Sequence, residues 1–185
     1  MIVYNFRITL DFEKDVTRDI EVRSDQSFFE FHRMIIKAFG FTGDQMCSFF
    51  MSNEDWDKGE EIVLFDMGFE ESENTPRMME NTQLTELINK RDEKMLYVYD
   101  FLRMWVFMIE LTDETMPKKE VVYPRIVKSV GDAPDENEKS LDFEMPVEMI
   151  EDEDDNMDPE LKDLMDDFND ESGSEYIDPD ELPSY

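Results

Sequence analysis

The chain has one histidine, His32, and one cysteine, Cys47, so chemistry that needs several imidazoles or thiolates is excluded from the start. A cysteine nucleophile needs a neighbouring base or cation to hold the thiolate. Cys47 instead opens the apolar stretch Cys47-Ser48-Phe49-Phe50-Met51 with no basic side chain beside it, the setting of an inert core thiol. His32 lies four residues after Phe28 and four before Ile36. That spacing borders the apolar stripe of a helix, where a packed, hydrogen-bonded histidine is the expectation and a ligand or proton-transfer role the alternative. Six glycines leave little material for backbone phosphate cradles, and no Gly-rich phosphate loop, paired-cysteine site, nucleophile elbow or HExxH occurs. The run Glu151-Asp152-Glu153-Asp154-Asp155 lacks the turn glycine of a calcium loop. No metal and no cofactor are expected.

The aromatics Tyr97, Tyr99, Phe101 and Trp105 fall at strand spacing and read as core. Charge sets further bounds. The formal net charge is −31, of which residues 1–130 carry −10 and residues 131–185 carry −21. The front portion holds enough Phe, Ile, Val, Leu and Met for one core without disulfide staples. The back portion is too acidic to condense by itself. We therefore expect an α+β domain over 1–130 and an acidic, largely disordered tail over 131–185. Such a charge repels phosphate backbones and anionic membranes, so direct nucleic-acid or membrane binding is not expected. An unidentified protein partner, of basic character, is. The longest apolar run, Met104 to Ile109, is six residues, and residues 1–10 alternate instead of forming a leader. A cytoplasmic location is expected.

The elements that would position these residues are legible in the periodicity. Tyr4, Phe6, Ile8 and Leu10 alternate with polar residues, and Val16 to Val22 does the same after a polar turn, which makes a hairpin. Ser27-Phe28-Phe29-Glu30 is a capping box, and Phe28, Phe31, Ile35 and Phe39 recur at helical spacing before Gly40. This predicts a principal helix over 28–39. Cys47–Met51 and Ile62–Phe65 form a second strand pair. Asn81 or Thr82 can cap a short helix over about 82–90. Met95–Phe101 and Met104–Leu111 form a third pair, the last strand apolar on both faces and so central and covered on both sides. Ile126–Val130 adds an edge strand. The order predicts a mainly antiparallel sheet built from hairpins with both helices on one face, β-grasp-like. In the tail, Asp158 and Pro159 can start a helix over 159–168 that puts Leu161, Leu164, Met165 and Phe168 on one side. Those four make a candidate partner-binding motif.

Four stretches carry a family resemblance: Tyr4 to Leu10 with Arg18; Phe31-His32, Ile35, Ile36 and Gly40-Phe41; Tyr99-Asp100-Phe101 with Trp105 and Ile109; and Tyr123-Pro124-Arg125 followed by Gly131, Pro134, Asp135 and Glu136. In order and spacing the chain resembles the plasmid pRi ORF-three-like domain family across roughly residues 2–136. The resemblance implies a functionally uncharacterised domain, and it supplies a candidate ligand-binding set: Arg18, His32, Tyr99, Asp100, Trp105 and Arg125. Leu102-Arg103 stand where the family has Gly-Asp, and Phe107 where it has histidine, so polar positions have turned apolar or changed sign. The leading expectation is a non-catalytic protein-interaction module with an acidic tail. The alternatives are a small-ligand-binding or enzymatic groove around His32, Arg18 and Asp100, which requires the six to converge, and an acidic mimic of nucleic acid that binds basic proteins.

Overall fold

A computed structural model describes residues 1–65, 76–88 and 93–139. The elements are β1 (Val3–Leu10), β2 (Thr17–Arg23), α1 (Phe28–Phe39), β3 (Cys47–Ser52), β4 (Lys58–Val63), β5 (Arg77–Met78), α2 (Leu84–Leu87), β6 (Lys94–Tyr99), β7 (Trp105–Thr115) and β8 (Arg125–Val130). They form one eight-stranded sheet in the order β5-β4-β3-β6-β7-β1-β2-β8. Every pairing is antiparallel except the short parallel contact of β4 with β5. The α+β class, the mainly antiparallel sheet and the single principal helix are those read from the sequence.

α1 forms where the spacing placed it, and for the expected reason. The Ser27 hydroxyl accepts from the Glu30 amide while the Glu30 carboxylate accepts from the Ser27 amide, which satisfies two of the orphan donors of the first turn. At the other end Gly40 takes φ 75° and its N–H bonds the Ile36 carbonyl. The stripe Phe28, Phe31, His32, Ile35, Ile36 and Phe39 is buried. Each large apolar member contributes roughly 2 kcal/mol by leaving water. The stripe meets the alternate residues of the central strands: Phe6, Phe49, Tyr97 and Phe107 lie on the same side of the sheet. Phe31 stacks on Phe6 (centroids 4.8 Å) and on Phe49 (5.6 Å), and Phe39 meets Phe107 edge-on at 4.8 Å.

Three expectations change. β7 is central, between β6 and β1, but its burial alternates: Trp105, Phe107, Ile109 and Leu111 are buried while Val106, Met108 and Glu110 are half-buried. A central strand with an apolar second face is therefore not fully covered on that face. The short helix is Leu84–Leu87, capped by Gln83 with Glu86 in the box and not by Asn81 or Thr82. The Thr82 hydroxyl donates to the Met78 carbonyl in the turn that precedes the helix. The domain also continues past residue 130. Arg18 donates to the carbonyls of Val130 and Gly131, Trp105 Nε1 to that of Glu136, and Lys139 Nζ to that of Met104. The expected helix over 159–168 lies outside the described residues.

Two glycines with positive φ separate conformational cost from collision. At Gly40 (φ 75°) an added Cβ meets nothing within 4 Å, whereas at Gly131 (φ 72°) it would strike the Asp15 carbonyl oxygen. Gly40→Ala should cost about 1 kcal/mol from the left-handed backbone alone, and Gly131→Ala roughly 3 kcal/mol because backbone must also move. Urea denaturation of the two variants checks this, and equal losses would contradict it.

Candidate functional site

The groups capable of chemistry meet beneath α1. His32 Nδ1 lies 2.7 Å from the Tyr97 hydroxyl, and Cys47 Sγ lies 3.5 Å from the same nitrogen. Adjacent antiparallel strands bring the two sheet residues together, since β3 and β6 pair with Phe49 opposite Tyr97 and Cys47 opposite Tyr99. All three side chains are buried. Burial, then the nearby Arg33 charge, brings the His32 pKa down to about 4. Burial pushes the Cys47 thiol up to about 11 and the Tyr97 phenol well above its ordinary value. At neutral pH all three are uncharged. A thiolate–imidazolium pair needs the thiol to be a stronger acid than the imidazolium, and here the order is reversed by several units. The trio is not a nucleophilic centre. The Tyr97 hydroxyl and Nδ1 share one hydrogen bond whose donor depends on the tautomer; where the phenol donates, the imidazole proton sits on Nε2.

That second nitrogen has no protein partner among the described residues, and His32 lines a cavity of about 480 Å³. Phe29, Ile36, Phe41, Leu64 and Phe65 supply its apolar walls. Arg33 and Lys37, one turn apart on α1, stand at its rim. Neither cation has a carboxylate within salt-bridge distance among the described residues, while Arg7, Arg23, Arg77, Arg103 and Arg125 all do.

The other expected site residues hold the fold together. The Tyr99 hydroxyl accepts from the Gly43 amide at 3.0 Å and lies 3.5 Å from the Thr42 hydroxyl. The Glu136 carboxylate accepts from the Thr42 amide and hydroxyl at 2.7 and 2.8 Å, and its carbonyl accepts from Trp105 Nε1 at 2.9 Å. Phe41 packs between Tyr99 and Trp105, 5.5 Å from each. Tyr99 and Trp105 thus share one cluster, and Phe41 connects it to the His32 cavity. Asp100 caps the β6–β7 turn. Burial works to raise its carboxyl, but amide bonds from Arg103 and Leu102 and the Arg103 guanidinium bring it below the usual range. Arg18 Nε donates to the Ala38 carbonyl and Nη1 to those of Thr17, Val130 and Gly131, with the guanidinium 5.0 Å above the Phe39 ring. Arg125 pairs with Glu21 at 2.6 Å. The six do not share one groove: only His32 lines the cavity. The charged residues that line it, Arg33 and Lys37, lie off the apolar stripe of α1. The available signal was two cations at i, i+4 directly after the sole histidine of an acidic domain.

The sequence model of the plasmid pRiA4b ORF-3-like protein family matches residues 2–181. The chain belongs to that family. No curated protein matches. The crystal structure of a protein of unknown function, MM3350 from Methanosarcina mazei Go1, superposes with a TM-score of 0.62 at 21% identity, covering 99% of this chain and 98% of that one. At that identity the likeness concerns fold alone. The family stretches now have a physical reading. Gly40-Phe41, Tyr99-Asp100, Trp105 and Gly131 to Glu136, distant in sequence, are bound together by the Glu136 contacts and by Arg18. Phe107 is buried against Phe39, Phe41 and Tyr97. Among the described residues no group of three or more His, Cys, Asp or Glu side chains could hold a metal, and no helix is long and apolar enough to cross a membrane. The motif Leu161, Leu164, Met165 and Phe168 lies outside the described residues.

The single histidine makes the burial testable. The folded state binds the His32 proton less tightly than the unfolded chain, whose imidazole titrates near 6.5. Its contribution to stability is complete above about pH 6.5 and is lost as pH falls toward 4. The His32 Cε1–H resonance should titrate near pH 4 and stay flat from 6 to 8. His32→Gln should lessen the loss of stability across that interval by roughly 3 kcal/mol. A midpoint near 6.5 in the folded protein would show the imidazole to be solvated.

Proposed function

We propose that the protein is a non-catalytic protein-interaction module, with the open edge of β8 as its docking element. The observation that carries this is the character of that edge. β8 pairs with β2 on one side only, and among the described residues no strand pairs on the other. Ile126, Val127 and Val130 are exposed along it. In a chain of net charge −31, the stretch Val121 to Val130 has no acidic residue and carries Arg125 and Lys128. An exposed edge presents a row of backbone donors and acceptors that an extended segment can complete. Charge selects which segment. Lys128 opposes edge pairing with a second β8, which would set like charges side by side. An acidic partner strand turns the same lysine into an attraction. Other features support a binding role over a catalytic one: the cysteine, histidine and tyrosine beneath α1 are uncharged, and Arg18, Asp100 and Arg125 are engaged in structural bonds. A buried free thiol suits a reducing, cytoplasmic setting.

The acidic-mimic reading rests on a different feature, the net −21 of residues 131–185. It is separable: neutralising Glu151 to Asp155 to the amides would weaken salt-sensitive binding to basic proteins under that reading and leave β8 docking unchanged.

A synthetic peptide of roughly eight residues alternating valine and glutamate should perturb the amide resonances of Arg125 to Val130 in a saturable way. Lys128→Glu should weaken binding about tenfold, and the matching valine–lysine peptide should not bind. Equal binding by wild type and Lys128→Glu, or perturbations elsewhere only, would overturn the reading.

A further inference from the structure

We propose that the cavity beneath α1 is a binding site for a small monocarboxylate with an apolar body. This goes beyond strand docking at β8 and involves none of its residues. The cavity's volume, about 480 Å³, falls in the range of small-molecule sites. Its composition is that of an amphiphile's site: Phe29, Ile36, Phe41, Leu64 and Phe65 supply apolar lining, and His32, Arg33 and Lys37 of α1 line it as well.

Three donors define the polar end. His32 is 4% exposed, is pinned at Nδ1 by Tyr97, and lines the cavity with Nε2 unpartnered among the described residues. Nε2 is not among the fully buried unpartnered atoms, so water reaches it, and a ligand oxygen placed there takes over that hydrogen bond. Arg33 and Lys37 line the same groove, together on one side of His32 around the helix, with positive charge that no carboxylate of the described residues offsets. A carboxylate can accept from an imidazole N–H and from two cations grouped beside it. A cationic ligand would meet two like charges. A neutral ligand would fill the walls formed by Phe29, Ile36, Phe41, Leu64 and Phe65 and leave the cations unused. The remaining lining groups do not compete, since Thr42 is bound to Asp44 and Glu136 and the Gly43 amide to Tyr99. No proton or bond changes place; the site binds and orients.

The test uses the full-length protein titrated with 3-phenylpropionate and with octanoate, and in parallel with 3-phenylpropan-1-ol and 3-phenylpropylamine. Amide resonances and the His32 imidazole signal are followed. The expected result is saturable shifts confined to Phe29–Gly43, Leu64 and Phe65 for the carboxylates, affinity lower by at least about tenfold for the alcohol, and no saturation with the amine. Arg33→Gln combined with Lys37→Gln, both exposed, should leave the urea midpoint unchanged and weaken carboxylate binding about tenfold. Failure of both carboxylates to saturate overturns the proposal. So does equal binding of acid and alcohol, which would make the cavity a simple apolar cleft, and so does an unaffected double variant. Each of these is distinguishable from a failure at β8, whose amides report separately.

Discussion

The buried hydrogen bond between Tyr97 and His32 sets the rest of the architecture. A phenol placed in the middle of an aromatic core must find a partner or forfeit its hydration. Tyr97 lies under Phe49 and Phe107, with centroids 4.6 and 5.5 Å away, and the imidazole of His32 is the partner in reach. A helix held only by apolar contacts can rotate slightly about its axis at little expense. One pinned by a directional bond cannot. The bond therefore fixes which side of α1 meets the sheet, and with it the outward direction of Arg33 and Lys37. The cavity and its two cations follow from a core constraint.

A second constraint holds the domain's far end. Glu136 joins the residues after α1 to Trp105 at the start of β7, and Arg18 ties β2 to the end of α1 and to Gly131. These links close loops of long sequence separation. The polar residues of the family signature are spent on them. That accounts for a signature which reads as a site in one dimension and serves as a clasp in three. It also accounts for the folded unit continuing beyond the point where the charge density rises: Gly131 to Lys139 is acidic by count but held by specific acceptors, which composition does not register.

Much of the fold was legible because local physics decides it. The capping box at Ser27 and Glu30, the glycine at position 40 and the 3–4 spacing of Phe28, Phe31, Ile35 and Phe39 all act within a few residues, and α1 begins and ends where they place it. The hairpin of β1 and β2 and the third strand pair rest on alternation in the same way. The cap of α2 was misread because the helix starts at Leu84, which makes Gln83 the N-cap, its amide donating to the Glu86 carboxylate. The second face of β7 was misread because apolar residues on both sides of a strand show what could be buried, not what arrives to cover it.

The sequence by itself bounded the chemistry: one histidine admits no multi-imidazole site within the chain, one cysteine no internal disulfide, and six glycines leave little material for a phosphate cradle. It also determined the elements and the charge imbalance between front and back. Only the tertiary structure decided which titratable groups meet. Spacing predicts a packed His32, an inert Cys47 and a core Tyr97, but that the three meet at one point depends on strand pairing and helix docking. The same holds, among the described residues, for the free edge of β8 and for Arg33 and Lys37, with which no carboxylate there pairs. An unmet hydrogen bond or charge is a property of the assembled surroundings, and no residue carries it in its own identity.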